Sequence, residues 1–209
     1  MSKTSSTQKE RVIVYIDGFN LYFGMTHKWK DIKWLDVYAL SNSLLKPGQV
    51  LCDVKYFTSR VSNDHGKQKR QTTYLEAIEV QGAKLIYGQY QANTEECYRC
   101  GNIRQSPKEK MTDVNIATHL LVDAIHDRYD TAILVSGDSD LVPPIKAVHQ
   151  NFTEKGVVVA FPPNRQNINV QKAAKASFII GRKKLKDNQL PSKVSKPNGY
   201  ILEKPSEWF

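Results

Sequence analysis

The chain is expected to fold as an α/β protein whose central, mainly parallel sheet is covered by helices on both faces. Three runs, VIVYI (12–16), TAILVS (131–136) and GVVVAF (156–161), are almost continuously apolar and rich in β-branched residues, the composition of strands buried on both faces. Segments with helical period and helix punctuation alternate with such runs, the pattern of a three-layer α/β/α sandwich. With 209 residues, 40% of them hydrophobic, the chain can bury a single sizeable core.

The elements follow in order. Residues 1–10, polar throughout, are expected to be a disordered lead-in. After the strand 12–16, residues 36–45 predict a helix closed by Pro47 and Gly48, and LCDVKYFTS (51–59) a second strand. Residues 66–82 predict a helix stopped by Gly82, followed by a strand over 83–90. A polar insertion spans 91–110. Thr112 suits the N-cap of a helix running to Arg128, with Val114, Ala117, Leu121 and Ala124 along one face. Residues 141–151 form a helix with Pro143 and Pro144 in its first turn. The domain thus covers about 11–185, and 186–209 is a Pro-, Lys- and Ser-rich tail whose GYIL, Trp208 and Phe209 favour a partly ordered strap over a solvated segment.

Four acids stand where a buried run stops or a helix begins: Asp17, Asp113, Asp138 and Asp140. In parallel sheets, sites form beyond the carboxyl ends of the strands. Singly, each has a structural explanation: Asp17 as an Asx turn before Gly18, Asp113 as a helix-start residue, Asp138 as a turn residue in SGDSD. Jointly they would repel unless a divalent cation lay among them, and oxygen-only donors select Mg²⁺ or Mn²⁺. That chemistry is phosphodiester hydrolysis.

A formal net charge of +9 agrees with a polyanionic partner, although a basic protein without one carries the same charge. Arg104, Lys108 and Lys110 lead into the helix bearing Asp113, and Lys67, Lys69 and Arg70 open an earlier one, where positive charge opposes the helix dipole. Arg165 in PPNRQN is another candidate phosphate contact. Tyr15, Phe19, Tyr22 and Phe23 would stack bases if exposed and serve as core if not.

VIVYIDGFNLY, KMTDVNIATHLLVDA and ILVSGDSDLVPPIKAV, in that order, resemble the NYN domain family, the PIN-like metal-dependent ribonucleases of the LabA and DUF88 type, over about residues 11–185. The resemblance implies a PIN-like sandwich with an acidic pocket for Mg²⁺ or Mn²⁺ and RNA as substrate, hence a nuclease, expected to be an endoribonuclease. By position, Asp17, Asn20, Asp113, Asp138 and Asp140 match the family's acidic and polar site residues. Within that frame Asp17 and Asp138 are expected to ligate metal directly, Asp113 directly or through water, and Asp140 to hold a metal-bound water or to accept a hydrogen bond from behind the ligands. Asn20 would orient water or phosphate; Ser136 would either reach the phosphate or bond to backbone.

The alternative is a catalytically weak RNA-binding or regulatory module on the same fold. A haloacid dehalogenase-type phosphatase wants D-x-D after the first strand, where this chain has D-G-F-N, and no P-loop motif exists. Cys97 and Cys100 form C-x-x-C, half a zinc site. Cys52 reads as core, and His65 and His119 are poorly spaced to complete the site. The alternatives are a zinc shared in a homodimer, a site completed by distant histidines, a redox pair and a non-metallated turn. No secretory leader or membrane span is expected, and three cysteines suit a reducing cytoplasmic compartment.

Overall fold

The computed structural model describes residues 9–27, 29, 31–61, 64–96 and 98–208, and the side chains of 90–97 and 103–109 fall outside that description. Six strands form one wholly parallel sheet: β1 (Glu10–Asp17), β2 (Gln49–Thr58), β3 (Lys84–Tyr87), β6 (Thr131–Val135), β7 (Gly156–Phe161) and β8 (Ala176–Ile179). Two antiparallel pairs stand apart, β4 (Gln89–Glu96) with β5 (Ile103–Lys110), and β9 (Lys193–Ser195) with β10 (Ile201–Glu203). The main sheet runs β3-β2-β1-β6-β7-β8. The chain winds outward from β1 in one direction and from β6 in the other, so a crevice opens between the carboxyl ends of those two strands, where ligands of such sheets bind.

Period-two alternation along β1 sends Val12, Val14 and Ile16 to one face and Ile13 and Tyr15 to the other. The first face packs under α1 (Gly18–Thr26), α2 (Val37–Ser43), α3 (His65–Val80) and α7 (Arg182–Asp187), through Leu21, Met25, Leu40, Ile78 and Leu185. The second packs under α4 (Thr112–Ile125), α5 (Val142–Asn151) and α6 (Ile168–Ala173), through Ile116, Leu120, Ile145, Val148 and Val170. The expected three layers are present.

Several expectations are corrected. The polar insertion is the β4–β5 hairpin, and the strand read over 83–90 breaks at Gly88 into β3 and β4. A side chain at Gly88 would come within 2.8 Å of the Lys110 carbonyl oxygen, so the hairpin leaves the sheet where only glycine fits. α1, with glycines at 18 and 24 and little amphipathic period, has no counterpart in the sequence reading. Thr112 is the first helical residue of α4, and the cap position belongs to Met111.

The buried face of α4 is Ile116, Leu120, Asp123 and Ala124, with Val114 exposed. Asp123 disguised that face, because it is a fully buried carboxylate. It accepts from Tyr15 Oη–H at 2.6 Å, from Arg128 at 2.9 Å and from the Lys55 ammonium. Burial alone would raise its carboxyl, but the bonds from Lys55 and Tyr15 outweigh that and hold it below the usual range. Tyr15 is therefore core, not a base-stacking platform. Cys52 is exposed, because the leading half of β2 is only partly covered.

Of the predicted tail, Val194, Leu202 and Trp208 are buried against the first core, with Trp208 centred 5.9 Å from Tyr74 and 6.1 Å from Trp34. Residues 1–8 of the expected lead-in lie outside the described residues, and Glu10 already belongs to β1. Among the described residues no helix is long and apolar enough to cross a membrane.

Candidate acidic site

Asp17 is the last residue of β1 and the N-cap of α1, where its Oδ1 accepts the Asn20 backbone N–H at 3.0 Å. An Asp is suited to both roles, since a short carboxylate leaves the strand extended and satisfies a free helix donor. Gly18 follows because a Cβ there would lie 2.7 Å from the Tyr56 ring and 2.8 Å from the Phe57 carbonyl oxygen. The other carboxylate oxygen of Asp17, which is 5% exposed, accepts the Ser136 hydroxyl at 3.0 Å.

Ser136 directly follows the neighbouring strand β6 and is buried. Its hydroxyl donates to Asp17 and its oxygen accepts the Asp138 backbone N–H at 3.1 Å, so it ties the Asp17 carboxylate to the backbone of the turn that carries Asp138. Asp138 in turn caps a 3-10 turn, Ser139–Leu141, accepting the Asp140 N–H at 2.9 Å. Asn20 closes the crevice from the α1 side, its Oδ1 accepting the Gly137 N–H at 3.1 Å. A side chain at Gly137 would force the backbone to shift, since a Cβ would fall 1.7 Å from the Arg165 carbonyl oxygen, where the loop after β7 crosses.

Asp113 arrives from a third direction, in the first turn of α4. Its carboxyl is pushed up to about 6, first by burial and then by the charges of Asp17, Asp138 and Asp140. Asp17, Asp138 and Asp140 therefore each lie within electrostatic reach of Asp113. Met111, just before α4, holds a left-handed backbone at φ 76°, uncommon for a residue with a long side chain, and turns the chain from β5 into the helix beside the crevice.

Asp17, Asn20, Asp113 and Asp138 line one cavity of about 200 Å³, joined by Phe19, Phe23, Lys110 and Arg165. Asp140 is exposed and stands outside this lining, contributing charge to Asp113. Among the described residues no group of three or more His, Cys, Asp and Glu side chains is drawn together closely enough to hold a metal ion. The acids line a space instead of meeting at one point.

The basic residues divide. Lys110 and Arg165 meet the acids, whereas Lys67 and Arg70 line a second cavity nearby and Lys69 is on the exposed side of α3. Arg104 and Lys108 lie on β5, with side chains outside the described residues. Cys97 lies outside the described residues, while Cys100 is an exposed free thiol in the turn of the hairpin. His65 opens α3, and His119 packs on Phe57 at 5.5 Å beside Lys55, which together with burial lowers its pKa. The sequence reading missed the close-approach role of Gly18 and Gly137 and the turn at Met111; D-G and S-G at strand ends were the signals for the glycines.

A parallel sandwich with carboxylates gathered at its strand reversal defines the class, a PIN-like α/β domain. The chain belongs to the NYN domain family, whose match spans residues 11–182. This family is in general nuclease-like and typically uses divalent metals. The chain is 24% identical to the 6-hydroxy-3-succinoylpyridine 3-monooxygenase HspA of Pseudomonas putida (strain DSM 28022 / S16), in a match covering 100% of this chain and 78% of that protein. It shares its fold with VPA0982 of Vibrio parahaemolyticus RIMD 2210633, a protein of unknown function, at a TM-score of 0.60 and 20% identity, over 91% of this chain and 100% of that one.

Proposed function

We propose that this protein is a metal-dependent ribonuclease that hydrolyses RNA phosphodiester bonds at the acidic crevice between β1 and β6. The observation that carries the reading is the raised Asp113 carboxyl among Asp17, Asp138 and Asp140, around a cavity rimmed by Lys110 and Arg165. Negative charge gathered in this way fits Mg²⁺ or Mn²⁺, and the donors are oxygens throughout. When bound, the cation supplies Lewis acidity toward the scissile phosphate and makes water a better nucleophile.

The chain's own groups have separable tasks. Asp17 and Asp138 hold the cation, fixed by the Ser136 hydroxyl and the N-cap bonds, and Asp113 completes the set directly or through water. Asn20 spends its carbonyl on Gly137, which leaves its amide NH₂ to donate to a phosphate oxygen or a water. Lys110 and Arg165 offset the phosphate charge, and Asp140 adds field from outside the cavity. Water attacks phosphorus, one bridging P–O bond breaks, and the departing ribose oxygen takes a proton.

In a cleavage assay on single-stranded RNA, wild type is expected to give products with Mn²⁺ or Mg²⁺ and none with EDTA. Asp138→Asn and Asp17→Asn should each lose at least a hundredfold in rate while still binding RNA. Full metal-dependent activity in either variant sinks the assignment. Tight binding without cleavage by wild type would favour a binding module. The aromatic cavity next to the acids, together with the name of the Pseudomonas relative, motivates a second reading, oxygenation of a small heteroaromatic acid. Turnover of 6-hydroxy-3-succinoylpyridine with no action on RNA would support that one.

A further inference from the structure

A second cavity, of about 510 Å³, adjoins the acidic one, and Phe19 and Phe23 line both. Its floor is aromatic and well anchored. Tyr56, Tyr74 and Trp208 are each more than nine-tenths buried, with ring centroids 6.3 Å apart for Tyr56 and Tyr74 and 5.9 Å for Tyr74 and Trp208. The Tyr74 hydroxyl donates to the Leu35 carbonyl at 3.0 Å, so that ring is fixed from behind. The rim is cationic, with Lys33, Lys67 and Arg70 against one acid, Glu207, which accepts from Arg70 at 2.8 Å.

Glu207 and Trp208 lie beyond residues 11–182, so one wall of this cavity comes from the C-terminal strap and not from the domain matched to the family. Aromatic surfaces stack with any base, since every base has a π-face, and lysine and arginine at the mouth neutralise phosphate. A paired base cannot leave its stack to enter such a space without cost, which selects single strands.

We propose that this cavity is a subsite for one unpaired nucleotide adjacent to the scissile phosphate, an inference that rests on the ribonuclease reading. The base packs against Phe23 and the aromatic floor, and its phosphate lies along Lys33, Lys67 and Arg70, competing with Glu207 for the guanidinium. Phe19 and Phe23, stacked 5.9 Å apart, form the partition over which the strand passes toward the acids. Specificity among bases is weak in this arrangement, because stacking carries the contact.

The test measures binding by fluorescence anisotropy of a labelled single-stranded oligouridylate, the same oligomer with abasic positions, and an RNA duplex, in full-length Asp138→Asn protein to prevent cleavage. The intact single strand is expected to bind about tenfold more tightly than the abasic one, and Phe23→Ala or Lys67→Ala to weaken it by about the same factor. Phe23 is 49% exposed, so its truncation leaves the fold intact. Lys67→Ala in otherwise wild-type protein should keep the Mn²⁺-induced rise in melting temperature.

Equal affinity for intact and abasic strands, or unchanged binding in both variants, overturns the subsite whatever the cleavage assay shows. Base-dependent binding lost in both variants, in a protein whose wild type cuts no RNA, supports the subsite and removes the nuclease reading. Saturable uptake of 6-hydroxy-3-succinoylpyridine without any oligonucleotide binding assigns the cavity to a small heteroaromatic acid and overturns the nucleotide.

Discussion

Asp113→Asn should make the metal-free protein more stable while removing its response to metal. In the folded state the Asp113 carboxyl is raised from 3.8 to about 6 by burial and by three neighbouring acids. A carboxyl raised on folding binds its proton better in the native than in the unfolded chain. Stability from this group is therefore greatest below pH 4, falls as pH rises between about 4 and 6, and stays at its reduced level above that.

A shift of about two units corresponds to about 3 kcal/mol at most. Asp113 is only half-buried, so solvent screening reduces this to about 1.5 kcal/mol, and loss of a carboxylate at a helix start returns about 0.5 kcal/mol. The net gain of about 1 kcal/mol predicts a melting temperature about 2–4 °C higher for the variant at pH 7.5 in EDTA. At pH 4 the difference should vanish. Adding Mn²⁺ should reverse the order, because wild type gains about 2.7 kcal/mol at a hundred times the dissociation constant and the variant gains little. Thermal melts at the two pH values, with EDTA or Mn²⁺, read all of this. A variant less stable than wild type in EDTA at pH 7.5, or one stabilised by Mn²⁺ as much as wild type, refutes the reasoning.

Other perturbations probe the scaffold. Gly137→Ala forces a methyl into the Arg165 carbonyl, only 1.7 Å away, and should cost about 1–3 kcal/mol in urea unfolding as the loop carrying Arg165 is displaced; an unchanged midpoint would show that the close approach is not required. Lys55→Met leaves the Asp123 carboxylate buried without its ammonium partner and should cost about 3–5 kcal/mol, whereas adding Asp123→Leu should recover most of the loss. If the double variant is no more stable than the single one, the pair is not what the buried charge depends on.

Much of the fold was legible because its signals are local. VIVYI, TAILVS and GVVVAF could only be strands covered on both sides, and Pro143, Pro144 and Gly82 mark helix boundaries through their own backbone chemistry. The same holds for Asp17 and Asp138, whose positions at strand ends follow from the sequence alone. α1 escaped because GFNLYFGMT has neither amphipathic period nor strong helix formers, and its helix is held by the Asp17 cap and by Leu21 and Met25 in the core.

What the sequence determined by itself was the type of sheet, the family resemblance, and which acids end which elements. Tertiary structure alone decided who meets whom. The winding order put β1 beside β6 and so brought Asp17, separated by 119 residues, to the hydroxyl of Ser136. It gave Asp123 a buried lysine, placed Lys110 and Arg165 with the acids and Lys67 and Arg70 with the aromatic cavity, and folded Trp208 back as a wall of that cavity. Backbone propensity and side-chain periodicity act over a few residues, whereas a site is a coincidence of loops distant in sequence, made only when burial of two opposite faces chooses the strand order.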